Sequence, residues 1–79
     1  MPCVDMIATG KRIKAMRVAK GMKVKDVQEI FGFGSANTIY KWQNGESMPT
    51  IDNMVILAAM FDVTVDEIIA VDTIDVKCG

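Results

Sequence analysis

Apolar residues recur along this chain at steps of three and four, and the pattern is interrupted at Gly21, Gly32 and Gly45. Such spacing belongs to amphipathic helices rather than strands, and it predicts five helices. In the first, Ile7, Ile13, Met16 and Val18 alternate with Lys11, Arg12, Lys14 and Arg17. Gly21 is expected to end it, with Lys20 in the last turn, where a cation suits the helix dipole. The second is predicted over 24–31, with Val27, Ile30 and Phe31 inward and Gly32 as the stop. Lys23 offers no capping oxygen, so this helix is expected to depend on packing. For a third helix over 36–43, the hydroxyl of Ser35 is the expected N-cap, accepting from the amide of Asn37 or Thr38. Ile39 and Trp42 mark its inner side, and Asn44-Gly45 ends it.

Beyond an ordered loop at Met48-Pro49, Thr50 is expected to cap a fourth helix running from Ile51 to about Met60, with Asp52 in its first turn. Met54, Val55, Leu57, Ala58 and Phe61 cover more than one face, which predicts a central position. Thr64-Val65-Asp66-Glu67 spells a capping box and opens a fifth helix that buries Val65, Ile68 and Ile69. The one strand signal is the weak alternation of Thr73-Ile74-Asp75-Val76. The expected fold is therefore all-α, a compact bundle of five helices in a single domain over 1–79.

Composition narrows the chemistry. A chain of 79 residues is near the lower size limit for folding without a staple. Its longest apolar stretch, Met54 to Phe61, is too short to span a bilayer. The N-terminus lacks the charged and apolar regions of a signal peptide, so a cytoplasmic protein is expected. Histidine is absent, and the two cysteines, Cys3 and Cys78, lie near opposite ends. They are read as plain thiols in a reducing compartment. No metal site, cofactor or small-molecule ligand is expected. No catalytic constellation is visible, so an enzyme is the least favoured class.

The net charge of −1 hides a division. Residues 1–48 carry eight Lys/Arg against four Asp/Glu, and residues 49–79 carry one Lys against six acids. A basic first half suits a surface offered to a polyanion. The segment Lys20–Pro49 then reads as two short helices joined by a glycine-containing turn. Outside Ile39 and Trp42, the second of these carries Ala36, Asn37, Thr38, Tyr40 and Lys41: small, amide or hydrogen-bonding residues. A helix that lies in the major groove of DNA needs side chains of this kind.

On TGKRIKAMR, KG, DVQEIFGF, SANTIYKWQNGESMPTIDNM and VTVDEII, the chain resembles the Cro/cI-type (XRE-like, lambda-repressor-like) helix-turn-helix family over residues 9–70, leaving 71–79 as a tail. The resemblance implies that the second helix crosses the DNA backbone while the third enters the major groove. It places Ala36, Asn37 and Lys41 toward base edges with Tyr40 at the groove margin. Asn37 has the chemistry to pair with adenine, and Lys41 can reach guanine or phosphate. Lys23 and Val24 would lie near a phosphate, Ser35 and Thr38 at the turn, and Asn44 against the DNA backbone. Arg17 resembles a first-helix arginine that pairs with an acid late in the third helix; here its partner would be Gln43. The sequence departs from the family pattern elsewhere too. Val24 stands where a glutamine is frequent, the turn Gly32-Phe33-Gly34-Ser35 is one residue longer than the commonest form, and the recognition helix has no arginine.

The leading expectation is a sequence-specific regulator of transcription, a repressor, bound to double-stranded DNA. The alternative is a protein-interaction module on the same fold, an antitoxin or adaptor. Because Ile68, Ile69, Val71, Ile74 and Val76 are many apolar residues for a short helix and a tail, a homodimer through that end is expected.

Overall fold

The computed structural model describes residues 2–73. A short strand β1 (Pro2–Val4) leads into α1 (Met6–Ala19), followed by α2 (Val24–Phe31), α3 (Asn37–Gln43), α4 (Ile51–Phe61), α5 (Val65–Ile68) and strand β2 (Val71–Thr73). The five helices stand where the periodicity predicts them. A short ribbon accompanies the bundle: β1 and β2 pair antiparallel, with Pro2 opposite Thr73, Cys3 opposite Asp72 and Val4 opposite Val71. The strand thus begins two residues ahead of the alternation at Thr73–Val76, most of which lies outside the described residues.

Helix starts follow local chemistry. Asp5, overlooked in the sequence, caps α1 by accepting from Ala8 N–H at 2.9 Å. Thr50 accepts from Asn53 N–H at 3.3 Å, and Thr64 and Glu67 form the expected reciprocal capping box on α5. A cap of this kind contributes about 1 kcal/mol. Two expectations about starts need correcting. The start of α2 is not left to packing, because the Asp26 carboxylate reaches back to Lys23 N–H at 2.8 Å. On α3 the N-cap position is Ala36, which has no capping side chain. Ser35 sits one residue earlier, and its hydroxyl accepts only a long 3.4 Å bond from Asn37 N–H.

Helices α1 to α4 all end in one pattern. One or two residues past the helix, an N–H bonds back three positions and the next bonds back five, as in Gly45 N–H to Trp42 C=O and Glu46 N–H to Lys41 C=O. The first of these two residues takes a left-handed conformation. It is glycine after α1, α2 and α3 but Asp62 after α4, at φ 57°.

Ile13, Val27, Ile39, Trp42, Met54, Leu57, Phe61 and Ile68 form the buried core, and Met16, Phe31, Phe33 and Ile69 pack around it. Four residues assigned inward by spacing lie outside: Ile7, Val18, Ile30 and Val55 are all exposed. Each helix here buries a single stripe. At 3.6 residues per turn, one step from the stripe moves a side chain by about 100°, as for Ile30 beside Phe31 and Val55 beside Met54. The outer side of α4 consequently shows Ile51, Val55 and Ile56 to solvent.

The segment after α5 is fastened to α1 and its N-cap. Asp5 N–H donates to the Ala70 carbonyl at 2.8 Å, and Ala70 N–H donates to the hydroxyl of fully buried Thr9 at 2.9 Å. The Arg12 guanidinium holds the carbonyls of Glu67 and Ile69, each at 3.2 Å, where a cation suits the carbonyl end of α5. Arg12 is therefore an anchor between α1 and α5. Among the described residues no helix is long and apolar enough to cross a membrane.

Candidate nucleic-acid interface

Helix α3 is held from its inner side. Ile39 is wholly buried and Trp42 is 2% exposed, which fixes Trp42 as core, as its spacing predicts. Its indole lies edge-on to Phe31 at 5.5 Å and to Phe33 at 5.8 Å, and those two rings stack on each other at 5.0 Å. Phe31 ends α2 and Phe33 lies in the turn. The three rings therefore lock helix, turn and helix together, each favourable pair adding roughly 0.5–1.5 kcal/mol beyond area burial. The Gln28 amide adds a bond to the Phe33 carbonyl at 3.2 Å. Phe33 lies in a turn, where no periodicity marks a residue as inward.

The far end of α3 is held by α1. Gly10 packs so closely that a Cβ there would come within 2.3 Å of the Trp42 carbonyl oxygen and 2.6 Å of that of Gln43. Arg17 donates from Nε to Gln43 Oε1 at 3.0 Å and from Nη1 to the Met22 carbonyl at 2.8 Å. The Arg17–Gln43 link that the resemblance implies is thus present. Gly45, at φ 76°, abuts Ile7 so tightly that a Cβ would sit 2.9 Å from its Cα.

With both ends fixed, the outward side of α3 is polar. Asn37, Thr38, Tyr40 and Lys41 are exposed on this one helix, and Asn44 is exposed at its C-cap. Residues four apart share a face of a helix, so Asn37 stands in line with Lys41 and Tyr40 with Asn44. Ser35 is exposed in the turn and Ala36 half-buried. At the start of α2, Lys23 is exposed, whereas Val24 is half-buried against the core. Arg17 is also half-buried, with two of its donors committed inside the protein. The ten candidate residues thus divide. Asn37, Thr38, Tyr40, Lys41, Asn44, Ser35 and Lys23 face solvent; Ala36, Val24 and Arg17 are partly enclosed.

Charge is unevenly placed. Exposed Lys11, Arg12, Lys14, Lys20, Lys23, Lys25 and Lys41 outnumber exposed Asp26, Glu29 and Glu46 from α1 to the loop after α3, while exposed Asp52, Asp62, Asp66, Glu67 and Asp72 lie from α4 onward. Among the described residues no pocket opens and no group of His, Cys, Asp or Glu could hold a metal ion.

A polar helix presented by a preceding helix and turn, on a core of Ile39 and Trp42, defines a helix-turn-helix domain. A helix-turn-helix family model matches residues 13–68, and the chain belongs to that family, in its Cro/cI-type branch of DNA-binding regulators rather than enzymes. No curated protein matches the chain. Among solved structures it is similar to the restriction-modification controller protein C.AhdI from Aeromonas hydrophila, at 22% identity and a TM-score of 0.71, covering 81% of this chain and 96% of that one. The DNA-binding domain of BldD is similar too, at 21% identity and a TM-score of 0.69, covering 82% and 93%. So is the S. venezulae BldD DNA-binding domain, with the same identity and score over 82% and 96%. At these identities the likeness shows the fold.

Proposed function

We propose that this protein binds double-stranded DNA sequence-specifically and represses transcription in the cytoplasm by occupying promoter DNA. The observation that carries the reading is the row of exposed Asn37, Thr38, Tyr40 and Lys41 on a helix whose other side is sealed by Ile39 and Trp42. Asn37 and Lys41 read base edges, Ala36 backs them, and Tyr40 lies at the groove margin. Lys23, Ser35, Thr38 and Asn44 meet the sugar-phosphate backbone, with Val24 and Arg17 supporting them from within. Similar solved proteins include a domain described as DNA-binding and a controller protein, in keeping with this role.

The protein acts in this reading as a two-fold dimer, which sets two recognition helices about 34 Å apart along the duplex. The reasoning behind a dimer through α5 changes, however. Ile68 is wholly buried within the protomer and Ile69 half-buried, while Ile74 and Val76 lie outside the described residues. Apolar surface left open among the described residues includes the cross-strand pair Val4 and Val71, where the tail begins, and the outer side of α4 at Ile51, Val55 and Ile56. Light scattering at tens of micromolar tests the dimer, and a strict monomer sinks it.

The same exposed α4 surface favours a second reading, an antitoxin or adaptor that meets another protein. Titrating duplex DNA at two salt concentrations separates the two. Binding that weakens steeply with salt reports counterions released from phosphates and supports the repressor. A flat response, or no binding to any member of a random DNA pool, supports the adaptor.

A further inference from the structure

Arg17 is held by two neutral oxygens. Its Nε donates to the side-chain amide oxygen of Gln43, the last residue of α3, and its Nη1 to the backbone carbonyl of Met22, just before α2. The guanidinium thereby ties the end of the recognition helix to the entrance of α2, and among the described residues both of its partners are neutral. The guanidinium brings a full positive charge to this junction. In the segment that follows α1, Lys20 and Lys23 are exposed, as is Asp26, whose carboxylate accepts from the backbone N–H of Lys23.

We propose that Gln43 is a charge-preserving positioning residue: it fixes Arg17 through a neutral acceptor, so that one group both clamps α3 and adds its charge to the attraction of DNA phosphates. A carboxylate at position 43 would clamp at least as well, since bonds between ionised partners are shorter and stronger than those to a neutral amide. It would also neutralise the charge offered to the polyanion. Charge, unlike hydrogen-bond geometry, acts across the Debye length of about 10 Å at 0.1 M salt, so Arg17 need not touch a phosphate to contribute. The inference rests on the DNA-binding reading above.

The test measures binding of a mixed-sequence 20-bp duplex from low salt upward, together with thermal unfolding, for wild type, Gln43→Glu and Gln43→Met. Gln43→Glu is expected to unfold at the wild-type temperature or higher. Its plot of log K against log salt should be shallower by up to about one, which amounts to binding weaker by as much as roughly tenfold near 50 mM salt. Gln43→Met, neutral and without the acceptor, is expected to unfold at a lower temperature while keeping the wild-type slope. Arg17→Gln is expected to reduce the slope as Gln43→Glu does, and gives an independent reading should the latter not fold. A wild-type slope in Gln43→Glu, or an equally reduced slope in Gln43→Met, overturns the proposal. If wild type itself shows no salt dependence, the DNA-binding reading fails first and this one with it.

Discussion

The hydroxyl of Thr9 accepts a hydrogen bond of 2.9 Å from the backbone N–H of Ala70, across 61 positions of sequence. Both residues are buried. Next to this bond, Asp5 N–H takes the Ala70 carbonyl, so Ala70 is bound through its N–H and its C=O to the first turn of α1. Thr9→Val keeps shape and removes the acceptor, leaving a buried N–H unpaired. Such a group costs about 1–3 kcal/mol, and in a domain this small each kcal/mol lowers Tm by roughly 4–8 °C. Thr9→Ser, which retains the oxygen, is expected to lose clearly less. Equal losses in thermal unfolding would show that the methyl group, not the bond, matters here.

One residue along, Gly10 faces the carbonyls of Trp42 and Gln43. Both obstacles are backbone, which cannot rotate away as a flexible side chain would. Gly10→Ala must therefore push α1 from the end of α3, and crowding of this kind typically costs about 1–3 kcal/mol. That loss opposes the usual helix preference for Ala over Gly, about 1 kcal/mol, so the sign is informative. Urea unfolding should show a lower midpoint, and DNA affinity should fall with it. A stabilised Gly10→Ala variant would contradict the close approach.

These two contacts show where reading the sequence stops. Caps and stops are local, so Thr50, Thr64–Glu67 and Gly32 were legible from neighbours alone. Trp42 was legible as core because Ile39 lies three residues before it. Thr9, Gly10 and Arg12 act on residues more than thirty positions away, and no periodicity reports such partners. Apolar character also says little about which side of a short helix is covered, as exposed Ile30 and Val55 demonstrate. At the candidate interface, polarity picked out the outward row of α3. The enclosure of Val24 and the commitment of Arg17 depend on packing.

Asp62 holds the left-handed position after α4 that glycine fills after the other three long helices. A side chain there costs roughly 1 kcal/mol relative to glycine, and an acid at a carbonyl end also opposes the helix dipole. Asp62→Gly is therefore expected to raise Tm by several degrees, and Asp62→Asn by less, through the dipole alone. Asp62→Ala is expected to lower it. An unchanged Tm in all three variants would show the position to be unstrained.

Asp5 and Asp72 form a carboxyl pair that links the start of α1 to the ribbon. The Ala8 amide and then the Asp72 side chain hold the Asp5 carboxyl below the usual carboxylate range. The hydrogen bond to Asp5, and then the charge of Asp5, push Asp72 above it. By linkage, Asp5 contributes stability that is present above the usual range and lost as pH falls through its lowered value. Asp72 behaves oppositely: its contribution is complete below the usual range and lost as pH rises through its raised value. Stability from the pair should therefore peak between the two, where one proton is shared. Asp72→Asn retains a donor toward Asp5 at every pH, so it should remove the decline on the high side while leaving the low side in place. Tm measured across that range for both proteins checks this. Parallel curves would mean that the two carboxyls do not communicate, and a real effect should shrink with added salt.

Asn37 gives the most direct test of the reading surface. It begins α3, is exposed, and has its backbone N–H aimed at Ser35 rather than its side chain tied into the fold. A bidentate pair with adenine would make it responsible for one base position. Selection from a random DNA pool should return a preferred site for wild type. For Asn37→Ala the same selection should return a site relaxed at one position per half-site, with affinity for the original site lower by about 1–3 kcal/mol. Lys41→Gln should likewise relax a base position, a different one. Weakening of all sequences alike, with the salt slope reduced by about one, would instead assign Lys41 to a phosphate. Should Asn37→Ala select the wild-type site at full affinity, base recognition must fall to other residues of the row, with Tyr40 first among them.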